Sequence, residues 1–213
     1  MCIDPVSGYV LKAQKYTCKV RKHFGISGVL LFCQRGLAMG FTVQQCAQIY
    51  AAIMDNTYRL TLENNMIIDI RFKKEQFKHL IGIHKLTDIR GLPEKDAKLL
   101  FKEIYSGVPS LLRSIQKSVN YDKIVNRVNS FYFLPTLLHG KIIIDFDPRL
   151  VDGETKLRNT EFILYNSLND GYAHLTIGEG IDSYYPETFF FEPTKKYISR
   201  QKLVDIIKTE ITS

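Results

Sequence analysis

The chain lacks long apolar runs. Its longest uncharged apolar stretch, residues 24–34, is too short for a bilayer, which takes about 20 residues to cross. No integral membrane segment is therefore expected. That stretch also comes late and interrupted, unlike a secretory leader. Cysteine is absent from residues 47–213. The four present are Cys2, Cys18, Cys33 and Cys46, with no Cys-x-x-Cys pair. This spacing excludes a zinc finger, and no disulfide can staple the main body. The expectation is reduced thiols and a cytoplasmic location. Several signatures are also missing: Gly-x-Gly-x-x-Gly, the P-loop, His-Glu-x-x-His and Gly-x-Ser-x-Gly. Common nucleotide-binding, zinc-protease and serine-hydrolase readings fall away with them.

What is present fits one domain. The chain has 213 residues, 45% hydrophobic and 24% charged, which excludes wholesale disorder, collagen and coiled coil. The net charge of +7 is unevenly spread. Residues 1–39 hold six Lys or Arg and one acid, Asp4, leaving 23 basic and 21 acidic residues beyond. The basic excess is thus mostly an N-terminal property and says little about the main domain. Residues 1–39 show no sustained period and read as a basic appendage. Residues 40–213 read as a single α+β domain.

The pattern from residue 42 onward supports that class. Thr42 with Gln45 forms a capping-box signature ahead of a helix carrying Val43, Cys46, Ala47, Tyr50, Ile53 and Met54. Residues 58–63 and 66–72, separated by Asn64-Asn65, predict a hairpin. Residues 73–81 predict a short helix stopped by Gly82. Pro93 predicts the start of a helix ending at Gly107, with Leu99, Leu100, Phe101 and Ile104 as its core face. Further helices are expected over 109–119 and 121–133. Residues 141–147, 160–168, 172–177 and 188–192 then predict strands, with Asn169-Asp170-Gly171 as a two-strand turn. A final helix is expected after Ser199, carrying Leu203, Val204, Ile206 and Ile207. The expected architecture is N-terminal helices and a hairpin packed on a C-terminal antiparallel sheet of about four strands.

The most informative stretch is Phe77-Lys-His-Leu-Ile-Gly-Ile-His-Lys85, which holds two of the five histidines. Residues 71–90 carry six Lys or Arg against Glu75 and Asp88. On an unbroken helix His79 and His84 would sit about 140° apart. If Gly82 ends the helix, His84 and Lys85 can fold back beside His79. Two imidazoles and an ammonium at one edge suit phosphodiester cleavage. Imidazole gives or takes a proton near neutrality, and a Lys offsets charge growing on phosphate oxygens. RNA already carries its nucleophile, the 2′-hydroxyl, so no metal is required. On spacing alone, a helix with a solvated basic face and two incidental histidines is the simpler account.

Other candidates are weaker. In Tyr184-Tyr-Pro-Glu-Thr-Phe-Phe-Phe191, Thr188 and Phe190 share one strand face. The Thr188 hydroxyl could bond a phosphate, or sit at the rim of a core strand. His174 shares a face with Tyr172 and Thr176, His139 reads as a turn residue, and His23 lies in the appendage. Asp145 and Asp147 flank Phe146 on a strand and could hold a divalent metal with Glu161. A solvated strand edge is the plainer account of them.

The stretches Ile67-Ile-Asp-Ile-Arg-Phe72 and Phe77-Lys-His-Leu-Ile-Gly-Ile-His-Lys-Leu86 resemble a phage and mobile-element nuclease family. It is grouped with ribonucleases of the barnase, EndoU, colicin and RelE type and marked by His-Leu-x-Gly-x-His-Lys-Leu. Tyr185-Pro-Glu-Thr-Phe-Phe190 is similar to its C-terminal strand motif. The similarity spans about residues 42–200. It implies helices on a four-stranded antiparallel sheet and metal-independent RNA cleavage without a cofactor. Carried over by position, it implies His79, His84, Lys85 and Thr188 as the catalytic set. The implied partners are an RNA substrate and, for a toxin, an inhibitor or antitoxin protein. Two other readings stay open: a non-catalytic module binding nucleic acid or protein, and a metal-dependent nuclease using Asp145 and Asp147.

The domain assignment is directly testable. A chain starting at Met39 should remain soluble and unfold in one cooperative thermal transition. Loss of that transition would place the boundary elsewhere.

Overall fold

The computed structural model describes residues 41–212, so the expectations for residues 1–39, including His23 and the first three cysteines, lie outside the described residues. Helix α1 (Val43–Ala51) begins at Thr42, and the capping box is formed with Gln45. The hairpin follows as β1 (Thr57–Leu62) and β2 (Ile67–Arg71). Its turn places Asn65 at φ 64°, a left-handed angle that Asn tolerates better than most residues.

Four further helices come next: α2 (Phe77–Leu80), α3 (Ala97–Ser106), α4 (Pro109–Gln116) and α5 (Asp122–Ser130). A short α6 (Leu134–Leu137) leads into β3 (Ile142–Asp145), β4 (Thr160–Leu168), β5 (Gly171–Glu179), β6 (Tyr184–Glu192) and β7 (Lys202–Thr212). The α+β class holds. Several boundaries move inward. Helix α3 starts at an Asp96 cap, not at Pro93, because the Asp96 side chain accepts from the Leu99 amide at 2.8 Å. Leu99 is 47% exposed and lies outside the core face.

Two expectations are corrected. The segment after Ser199 is the strand β7, not a helix. Val204, Ile206, Ile207, Thr209 and Ile211 are β-branched, which favours a pleated strand. The segment also finds partners on both sides, pairing with β3 and with β1. The sheet accordingly has seven strands, not about four. They close into a barrel in the order β1-β2-β6-β5-β4-β3-β7. The hairpin is part of this ring and does not pack against it as a separate layer. Every pairing is antiparallel except β2 with β6, a single parallel bridge between Ile70 and Tyr184.

Consecutive buried residues point to opposite faces of the sheet. Ile143, Phe162 and Leu164 join the main core with the helices, whereas Ile144 and Ile163 pack with Phe146 and Val151. The second cluster is covered by Leu157, Tyr197 and Ile198. Burial on both faces explains the near-continuous apolar runs of β3 and β4.

Aromatic rings couple the helices to the sheet. Phe131, just after α5, meets Phe77 of α2 at 6.0 Å and Phe189 of β6 at 5.3 Å, both edge to face. Tyr50 of α1 contacts Phe72, Phe77 and Phe101, and its hydroxyl donates to the Lys73 carbonyl at 2.7 Å. Phe131 is fully buried, so Phe131→Ala should destabilise the protein by about 3–5 kcal/mol. Urea unfolding measures this; a loss below about 1 kcal/mol would mean the helices and sheet are not joined through that ring.

Candidate active site

Helix α2 is stopped by Gly82, which adopts φ 84° and ψ 18°. A Cβ there would meet Ile124 Cγ2 at 3.1 Å and Arg127 Cδ at 3.3 Å. Glycine is therefore required twice, for the left-handed turn and for the close approach of α5. Beyond it, residues Ile83–Lys85 form a single 3₁₀ turn. This reversal brings the His84 ring back onto the His79 ring. The two rings are nearly parallel, 9° apart in plane, with centroids 4.5 Å apart.

Arg127 fixes the arrangement. Its Nη1 lies 3.3 Å from the His79 carbonyl, 3.2 Å from the Leu80 carbonyl and 3.1 Å from Thr188 Oγ1. The two carbonyls belong to the end of α2, where acceptors run short of intrahelical donors; the His79 carbonyl also accepts from the Gly82 amide at 3.0 Å. One guanidinium thus satisfies the helix end and reaches across to β6. Burial pushes the Arg127 guanidinium down to about 10, and at neutral pH it remains a cation.

Thr188 is buried, and its amide donates to Thr176 Oγ1 at 3.0 Å across the β5–β6 ladder. Beside it, the Glu187 carboxylate accepts from the hydroxyls of Thr160 at 2.5 Å and Thr176 at 3.4 Å.

The electrostatics are dominated by positive charge. Burial lowers the His84 pKa to about 4, and His79, Arg127 and Lys85 reinforce the effect against a weak opposing influence of the Lys78 main chain. His79 is also lowered, by burial and Arg127, with Glu187 opposing and Lys85 adding to the shift. Lys85 is lowered by burial, Arg127 and Lys156. Two neutral imidazoles surrounded by cations form a site suited to an anion. They also supply a base near neutral pH.

The structure brings His79, His84 and Lys85 together, and Arg127 links the end of α2 to Thr188. Three contributors escaped the sequence reading. Arg127 occupies an otherwise apolar helical stripe of Ile124, Arg127, Val128 and Phe131, and a cation in a core stripe was the available signal. Glu187 stood inside the Pro-Glu-Thr motif beside Thr188. Lys156, in the loop between β3 and β4, offered no signal.

The other candidates lie elsewhere. His174 is fully buried between Phe190, stacked at 4.8 Å, and Tyr197. Its Nδ1 contacts the Tyr172 carbonyl at 3.2 Å. Asp145 pairs with Lys202 at 2.8 Å, and Asp147 pairs with Arg149 at 2.7 Å while capping the turn at 148–150. Among the described residues, no group of three or more His, Cys, Asp or Glu side chains converges as a metal site requires. Cys46 is buried and unpaired, and burial raises its thiol well above the usual range. No described helix is long and apolar enough to cross a membrane.

A family model described as phage-Barnase-EndoU-ColicinE5/D-RelE like nuclease4 matches residues 42–212. No curated protein and no solved structure matches the chain.

The charge environment sets two linked outcomes. In a proton NMR titration His84 should stay neutral down to about pH 4. Arg127→Met removes a cation, so both histidine midpoints should rise towards the ordinary value of 6.5. Midpoints unchanged by that substitution would sink this account. The folded pKa of His84 lies below its unfolded value, so falling pH favours protonation of the unfolded chain. Its contribution to stability is intact above about pH 6.5 and lost on descent towards about pH 4.

Proposed function

The chain belongs to this phage nuclease family, and from that premise we propose that it is an endoribonuclease. It cleaves RNA by attack of a 2′-hydroxyl on the adjacent phosphodiester, without a metal. The observation that carries the reading is the stacked His79–His84 pair beside Lys85 and Arg127. The pair supplies a neutral base in a cationic surround, and the phosphodiester is an anion.

In the proposed step, one histidine takes the 2′-hydroxyl proton. The freed oxygen bonds to phosphorus, the bond from phosphorus to the 5′-oxygen breaks, and a second group returns a proton to that oxygen. The products are a 2′,3′-cyclic phosphate and a free 5′-hydroxyl. Lys85 offsets the growing charge on the phosphorane, and Thr188 orients a phosphate oxygen. His84, neutral down to about pH 4 and just past the helix end, is favoured as the direct base; His79 is its partner. Parallel rings in contact, beside Arg127 and Lys85, disfavour two imidazolium ions at once. Single-stranded or loop RNA, with bases that splay apart, suits the site. The proposal extends to a toxin role with an inhibitor protein as partner.

His84→Ala and His79→Ala should stay folded and lose about a hundredfold to ten-thousandfold in rate. Asp145→Ala should cut at the wild-type rate, and cutting should persist in excess chelator. Cyclic-phosphate ends, read by chromatography or mass spectrometry, identify the route. Wild-type rates in both histidine variants, or loss of cutting in Asp145→Ala alone, would overturn the mechanism.

A further inference from the structure

A second cationic surface lies on the other flank of α2. An open groove of about 590 Å³ is lined by Ala51 and Met54 of α1, Lys74, and Lys98, Leu99, Phe101, Lys102 and Tyr105 of α3. Three lysines stand along it. Lys98 is paired with Glu75 at 3.0 Å, whereas Lys74 and Lys102 make no ion pair among the described residues. Between these cations, Tyr105 stacks on Phe101 with centroids 6.0 Å apart and planes 26° apart. Tyr105 is 49% exposed and lines the groove. Phe101 beneath it is held in the core by Tyr50 and Phe77, which makes the platform rigid.

We propose that this groove is an accessory site for single-stranded RNA. A base stacks on Tyr105, and the flanking phosphates meet Lys74 and Lys102. The chemistry is that of single-strand binding surfaces, which combine aromatic platforms with a cationic track. An acidic protein surface would match the lysines but would leave the exposed ring without a planar partner. The proposal rests on the ribonuclease reading and deepens it. Lys74 and His79 belong to one short helical segment, roughly 10 Å apart along its rise. Helix α2 packs against α3 on the groove side and against β6 on the histidine side. A strand held at both places must therefore extend past the cleaved bond. A dinucleotide cannot use the groove.

The test uses the full chain and a fluorescent single-stranded RNA of about twelve nucleotides, a typical single-strand site size. Its 2′-hydroxyls are methylated, so no 2′-attack can cleave it. Residues 1–39 carry six Lys or Arg, whose charge adds its own attraction for RNA, so the reading is the difference between wild type and variant. Tyr105→Ala should weaken binding at least about fivefold. The Lys74→Glu/Lys102→Glu double variant should weaken it further and flatten the salt dependence of log K by about 1.4, the value for two lost phosphate contacts. Wild-type cleavage of an unmodified dinucleotide should be unchanged in both variants. Binding equal to wild type in both would overturn the site. So would poly-glutamate binding as tightly as RNA and losing as much with Tyr105→Ala, which marks a protein-docking face. Failure of the ribonuclease reading shows separately, as wild-type protein that binds the methylated strand but cuts no unmodified RNA.

Discussion

The Arg127 guanidinium lies where three chain segments meet: the last carbonyls of α2, the body of α5 and the Thr188 hydroxyl of β6. None of these would hold its relation to the others by apolar packing alone, because each contributes a polar group that burial would otherwise penalise. Removing the guanidinium would at once strip the Leu80 carbonyl of its donor, leave the His79 carbonyl to the Gly82 amide alone, and release Thr188. The cost is coupled, since the acceptors share one donor. The same charge presses on both imidazoles. Structural support and chemical tuning of the site therefore come from a single group.

Gly82 makes that arrangement possible. Its left-handed turn reverses the chain, and its missing Cβ lets Ile124 and Arg127 approach the backbone. A bulkier residue would push α5 away, and the guanidinium would lose its reach. The His-Leu-x-Gly-x-His-Lys spacing is thus a packing rule as much as a chemical one. Three residues between helix end and second histidine suffice for one tight 3₁₀ turn, which lays one ring on the other.

Much of this was legible in the sequence, for local reasons. The capping box at Thr42, the turn at Asn65 and the stop at Gly82 depend on neighbours a few residues away. Their side chains act through the backbone at hand. The apposition of His79 and His84 followed from the same local rule. The last strand was not legible, because Leu203, Val204, Ile206 and Ile207 fit a helical face as readily as a pleated one. Only its long-range partners, β3 and β1, decide the matter. Arg127 was missed for a related reason: a cation in a core stripe shows that something buried needs it, not what. The number of strands depended likewise on whether the early hairpin joined the later ones, which is a tertiary fact.

Closure of the ring has a consequence for solubility. Strand β7 is eleven residues long and leaves Ile207 62% and Ile211 49% exposed. As an outer strand it would offer unpaired backbone beside apolar side chains, a template for another chain. Placed between β3 and β1, it is paired with β3 over residues 202–205 and with β1 over residues 206–212. A chain lacking β7 would uncover the flanks of two strands at once. The C-terminal strand therefore guards the rest of the sheet against self-association.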